Sequence, residues 1–212
     1  MLDNILRPMV NKTPIEFNIR KTAQAINFFA RKHASCSIDK LKVIKLVWLA
    51  DRYHIRKYGR PITGDTYFAM DYGPVGSGVK DITSLNNCLS GVEQKYAKKY
   101  LSLSNKTTVK SVREVQESVF SRTDLEALNF AFDNFGDKKP SQLVTLSHKY
   151  PEWNKFEAEL EAKIITRASM SYDDFFLNPS SVVDDKFKED QAQLDVNREI
   201  LQEYAAMSHA LT

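Results

Sequence analysis

Apolar residues first fall at helical spacing after Asn18, where Ile19, Ala23, Ile26 and Ala30 recur every three or four positions and Phe28 and Phe29 add bulk. Asn18 is a good N-cap, so a helix is expected from there, preceded by an irregular arm over 1–18 that carries Pro8 and Pro14. Ser37 is read as the next N-cap. The helix it opens is expected to run to Tyr58, with Gly59 as its C-terminal cap and Pro61 as a stop. On a wheel Leu41, Ile44, Trp48 and Ile55 share one side, and Val43, Leu46, Val47 and Ala50 fill most of the rest. A helix apolar on most sides is a central one, packed against several neighbours.

Beyond Gly59 the pattern changes. Gly64-Asp65 is a turn signal, Thr66 to Met70 has the composition of a strand, and Tyr72-Gly73-Pro74-Val75 punctuates again. Ser77 is expected to cap a helix bearing Val79, Ile82 and Leu85 that ends near Asn87. Alternation from Tyr96 to Val119 predicts a hairpin turning at Asn105-Lys106. Ser121, with Asp124 three residues on, starts a helix through Leu125, Leu128, Phe132 and Phe135, closed by Gly136. A short helix from Ser141 to about Lys149, another over 152–166 and a last turn from Ser171 to Leu177 follow. In the tail after Pro179, Phe187, Leu194 and Leu201 repeat every seven residues. A second register through Val183, Tyr204 and Leu211 also holds Asp190 and Asn197, which argues against a coiled coil and for one amphipathic helix. That helix lies either on the body or on a partner. The expected fold is mainly α with a small antiparallel β element (α+β). It has three parts: the arm 1–18, a compact helical domain over 19–178, and the tail 179–212.

Composition narrows the class. The 212 residues, 42% hydrophobic and 27% charged, suit a soluble globular chain able to bury a core. The longest apolar stretch, Leu46 to Ala50, is far short of a membrane span, and MLDNILRPMVNK lacks a signal-peptide core, so a cytoplasmic location is expected. Cys36 and Cys88 are then free thiols. The net charge of +3 is unevenly spread: after Pro179 seven acids face three bases, leaving +7 on residues 1–178. A mildly basic body with an acidic tail points to self-contact or to a partner of mixed charge.

Candidate chemistry is sparse. His33, His54, His148, His209 and the two cysteines form no metal-ligand motif, and the His33/Cys36 interval straddles a predicted loop, so neither metal nor cofactor is expected. There is no GxSxG, Walker or GxGxxG motif, and Gly76-Ser77-Gly78 reads as a flexible helix start. Asp51 falls on the apolar side of the core helix beside Arg52 and His54. A carboxylate there is costly unless hydrogen-bonded, and donors in the 62–75 segment are the expected partners. Lys42, Lys45, Arg52 and Arg56 lie about 60° to 90° round from the apolar side, at about 100° per residue. Phosphate binding uses such a stripe. A recognition helix, however, presents polar base-reading side chains, and this one is mostly apolar; a solvated strip is the favoured reading.

The run LVWLADRYHIRKYGRPITGDTYFAMDYGPVGSGV resembles the pattern of the SocA-like Panacea-domain antitoxins. In that pattern a helix ends Leu-Ala-Asp-Arg-x-His before Gly-Arg-Pro-Ile-Thr-Gly-Asp, an aromatic strand and Gly-Pro-Val. LSHKYPEW, from Leu146 to Trp153, resembles the family's second mark, and the likeness spans roughly residues 19–177. Gly76-Ser77-Gly78 departs from it where relatives often carry Pro-Ser. The resemblance implies a non-enzymatic antitoxin of a bacterial or prophage toxin–antitoxin system. Its partner would be a cognate protein toxin, and a AAA+ protease where the antitoxin acts as an adaptor. It also implies that Asp51, Arg52, His54, Gly64, Asp65, Tyr67, Gly73 and Pro74 organise the junction, with His148 and Trp153 bracing it. Phe187, Leu194, Leu201 and Tyr204 of the tail, outside the resemblance, are the candidates for specific contact with the toxin. A nucleic-acid-binding regulator using Lys42, Lys45, Arg52 and Arg56 is the alternative.

Overall fold

A computed structural model describes residues 15–86, 88–179 and 185–210. The arm 1–14, Asn87, Val183 and Leu211 lie outside the described residues. The chain is mainly helical, with two small antiparallel sheets. Helix α1 (Ile19–Arg31) begins where Asn18 accepts from Lys21 N, and α2 (Lys40–Tyr58) ends at left-handed Gly59. Helix α2 is the core: Val43, Leu46, Val47, Trp48, Leu49, Ala50 and Ile55 are buried. It packs on α1, α3 (Ser77–Ser84), α5 (Arg122–Phe135), α6 (Pro140–Ser147) and α9 (Gln191–Ala210). A helix apolar on most sides can only be satisfied by such a surround.

One sheet has the order β1 (Ser37–Asp39), β5 (Thr108–Ser111), β4 (Leu101–Leu103), and the other β3 (Gly73–Gly76), β2 (Tyr67–Met70), β6 (Ala168–Ser169). The expected hairpin is β4–β5, with Leu103 opposite Val109. It starts later than the alternation suggests, because α4 (Gly91–Tyr100) is fixed by a capping box between Ser90 and Glu93. Ser37 is not the cap of α2. It pairs with Lys110 in β1, and Asp39 takes the capping position by accepting from Lys42 N. Gly73 to Gly76, expected as punctuation, is a strand, since β2 supplies its ladder with Phe68 opposite Val75. The expected helix over 152–166 is broken into α7 (Pro151–Asn154) and α8 (Glu157–Glu161). Adjacent Glu152 and Trp153 are both buried against different partners, which a one-faced helix does not provide. Residues Tyr172–Phe176 form a 3₁₀ turn.

Phe187, Leu194 and Leu201 are 5%, 0% and 3% exposed, so the seven-residue row of the tail is laid on the body. Phe187 stacks on Phe135 at 5.7 Å between ring centres, and Asn197 Nδ2 donates to Arg56 O over 2.6 Å. These three side chains therefore offer nothing to a partner. Tyr204 is half-buried.

Candidate functional site

The junction between the end of α2 and the β2–β3 hairpin gathers most of the polar residues singled out in the sequence. Asp51 is fully buried and accepts from Ile62 N (2.7 Å), Thr63 N (3.2 Å), Tyr67 Oη (2.8 Å) and, in a shorter contact, Thr63 Oγ1. Burial raises its pKa to about 6 against the pull of those four donors. The carboxylate thus folds the chain leaving α2 back onto the helix. One turn on, Asp65 does the capping that Gly76 cannot, accepting from Gly78 N and Val79 N (both 2.8 Å) and from Ser77 Oγ (3.1 Å). A Cβ on Gly76 would strike that carboxylate, so the glycine is what lets Asp65 reach the start of α3. The supposedly loose Gly76-Ser77-Gly78 segment is held by a charged cap. Gly64, just before it, leaves no room for a side chain against the Glu16 carbonyl, and Tyr172 Oη closes the turn by donating to Asp65 O over 2.6 Å.

His54 Nδ1 lies 2.6 Å from Arg60 O and Nε2 lies 3.0 Å from Thr123 Oγ1. A carbonyl only accepts, so Nδ1 carries the proton and Nε2 accepts from the threonine. Burial lowers the pKa of His54 to about 4, so the imidazole is neutral at pH 7 and its 3.3 Å approach to Asp124 is not an ion pair. Burial alone would raise Asp124, yet Lys21 at 2.6 Å, the Ser121 N–H and neighbouring charge hold it below the usual carboxylate range.

The basic stripe is not at the surface. Lys45, Arg52 and Arg56 are 0%, 0% and 2% exposed, and only Lys42 stays half-exposed. Arg52 Nη1 donates to both oxygens of buried Glu152 (3.1 and 3.2 Å) and to Phe175 O (2.9 Å), while its guanidinium carbon sits 4.4 Å from the centre of the Tyr150 ring. Arg56 donates to Phe187 O (3.0 Å), Phe175 O (2.9 Å), Leu177 O (3.2 Å) and Asn178 Oδ1 (2.7 Å). The two arginines staple Phe175, Leu177, Asn178 and Phe187 to the core helix. A solvated strip was expected because the wheel shows which residues share a side, whereas the later segment that covers that side is fixed only in three dimensions. Glu152 went unrecognised for the same reason; its one signal was its place inside LSHKYPEW.

Lys45 Nζ donates to Pro74 O over 2.6 Å, and burial drops its pKa to about 7. Gly73, at φ 87, holds the turn above it in a conformation that favours glycine, and a Cβ there would meet Ser147 Oγ and the Lys45 amine. His148 stacks on Trp153 at 3.6 Å with 2° between the rings, and Trp153 Nε1 donates to Met70 O over 2.9 Å. Burial, then Lys45, lowers the pKa of His148.

What this arrangement can do is hold a fold. Asp51, Asp65, Arg52, Arg56 and Glu152 bond to backbone groups, to neighbouring side chains such as Thr63, Tyr67, Ser77 and Asn178, and, for Arg52 and Glu152, to each other. A cleft of about 280 Å³ opens between Phe17, Lys21, Pro61 and Tyr204, and Ile62 and Gly64 of the junction line it. Among the described residues no three His, Cys, Asp or Glu side chains come together to hold a metal ion, and no helix is long and apolar enough to cross a membrane. Cys36 and Cys88 are free.

The fold and the junction define a mainly helical scaffold whose motif residues serve its interior. The family model of the SocA-like antitoxin Panacea domain matches residues 43–154, more than half of the chain, and the chain belongs to that family. The matched span runs from the core helix through the junction to Trp153 and Asn154 and leaves out α1 and α9. Neither a curated protein nor a solved structure matches the chain.

Proposed function

We propose that this protein is a non-enzymatic antitoxin that binds and neutralises a cognate protein toxin in the bacterial cytoplasm. Membership of the SocA-like Panacea family supports the antitoxin class. The observation that carries the non-enzymatic part is the saturation of the junction. Asp51 and His54, the adjacent acid and base of the core helix, are fully buried with their polar atoms engaged by Ile62, Thr63, Tyr67, Arg60 and Thr123. A general acid or base needs a substrate proton within hydrogen-bond reach, and both side chains are fully buried. The nucleic-acid reading loses its residues, because Lys45, Arg52 and Arg56 face the interior.

Co-expression with the product of the neighbouring gene tests the reading. Growth rescue with a stoichiometric complex supports neutralisation by binding. Rescue with loss of the toxin, abolished in a strain lacking its AAA+ proteases, assigns the adaptor role instead. Absence of both rescue and complex overturns the antitoxin assignment for that pair. Asp51→Asn with the fold intact should rescue like the parent protein; selective loss of rescue would point to chemistry at that carboxylate.

A further inference from the structure

The geometry points to the outer face of α9 as the surface that takes the toxin, and to a basic amphipathic helix as the element of the toxin that lies on it. The inference rests on the toxin-binding reading above and adds to it a place and a partner chemistry. Helix α9 carries two apolar rows. The inner one, Leu194, Asn197 and Leu201, is spent on the body. The outer one, Val196, Ile200 and Met207, is 50%, 39% and 59% exposed, and these three side chains fall within about 40° of one another at about 100° per residue. Ile200, the least exposed of the three, packs beside Gly59.

Charge sets the kind of partner. Glu203 occupies the remaining place in the outer row, between Ile200 and Met207, and Glu199 and Asp195 run beside it on the side away from the body. All three are exposed. Arg198, the one arginine or lysine of the helix, is half-buried, turned onto the Phe176 ring at 5.4 Å and already within 3.5 Å of Asp195 Oδ1, so Glu199 and Glu203 carry the acidic character of the open face. The open face therefore presents an apolar row interrupted and edged by carboxylates, with no exposed lysine or arginine. An amphipathic helix with apolar side chains three and four apart fits such a row. A lysine or arginine opposite Glu203, and more along its edge, would answer the carboxylates. A second copy of this chain answers the charge badly, since two such faces would oppose acid to acid.

The test uses the full chain and the purified product of the neighbouring gene as the probe. Val196→Ser combined with Met207→Ser, and separately Glu199→Lys combined with Glu203→Lys, alter exposed positions only. Thermal melting checks that each variant is folded. Both pairs should weaken the complex by about tenfold or more in titration calorimetry, and the lysine pair should flatten its dependence on salt. Folded variants that bind like the parent chain would overturn the α9 surface while leaving toxin binding in place. No complex with the parent chain would overturn both. A parent dimer that Val196→Ser with Met207→Ser dissociates would assign the row to a second copy and overturn the toxin-helix proposal.

Discussion

Arg56→Ala removes four hydrogen bonds from one buried guanidinium, to Phe187 O, Phe175 O, Leu177 O and Asn178 Oδ1. Breaking a buried charge network by removing one partner costs about 3–5 kcal/mol, and because burial, with Arg52 nearby, already holds the Arg56 pKa down at about 10 from 12.5, the low end of about 3 kcal/mol is expected. For a chain of this size that is a fall of roughly 6–12 °C in Tm. The loss should also be local. Amide exchange should quicken in 175–178 and 187–207 well before it does in α1 and α5, because the arginine ties the tail segment to the core helix and touches neither of those helices through its guanidinium. Urea melts together with exchange mass spectrometry read both quantities. A variant within about 0.5 kcal/mol of the parent chain, with unchanged exchange in α9, would refute the staple and return the basic residues to the surface reading.

Opposed titrations give a second expectation. Asp51, at about 6 in the folded chain against 3.8, favours folding fully below pH 3.8 and loses that contribution as pH rises through 6. His54, at about 4 against 6.5, favours folding fully above pH 6.5 and loses that contribution as pH falls through 4. The two offset each other between about pH 4 and 6, so Asp51→Asn should make stability fall more steeply than in the parent chain as pH drops through that window; matching slopes in urea melts would contradict it. Lys45, at about 7 against 10.5, makes its full contribution above pH 10.5 and loses it as pH falls through 7. The parent chain should therefore gain up to about 2 kcal/mol between pH 7 and 9, a gain that Lys45→Met abolishes. Gly73→Ala forces a Cβ onto Ser147 Oγ and the Lys45 amine at a positive φ, and should cost about 2 kcal/mol or more by chemical denaturation, where a neutral result would mean that the turn can shift.

The pattern of the sequence determined much of this protein. Helix α2 was legible because nearly every position around it is apolar, and its end because Gly59 and Pro61 follow. Asn18 and Ser121 announced the starts of α1 and α5 through local side-chain caps, which depend on residues only three apart. Even the need for donors around Asp51 followed from the cost of a carboxylate on an apolar side.

Tertiary structure decided the rest, and the reason is distance along the chain. Whether Arg52 and Arg56 face water depends on Glu152, on carbonyls at 175, 177 and 187 and on Asn178, all about a hundred residues or more away, and no periodicity within α2 encodes them. Asp65 caps α3 from eleven residues before Gly76, beyond the reach of any local capping signal. The tail shows the same division. Its sequence made an amphipathic helix with a Phe187, Leu194 and Leu201 row, but the body it meets chose that row for burial and left Val196, Ile200 and Met207 outside, because one face of a helix can be hidden only when a complementary surface is already folded to receive it.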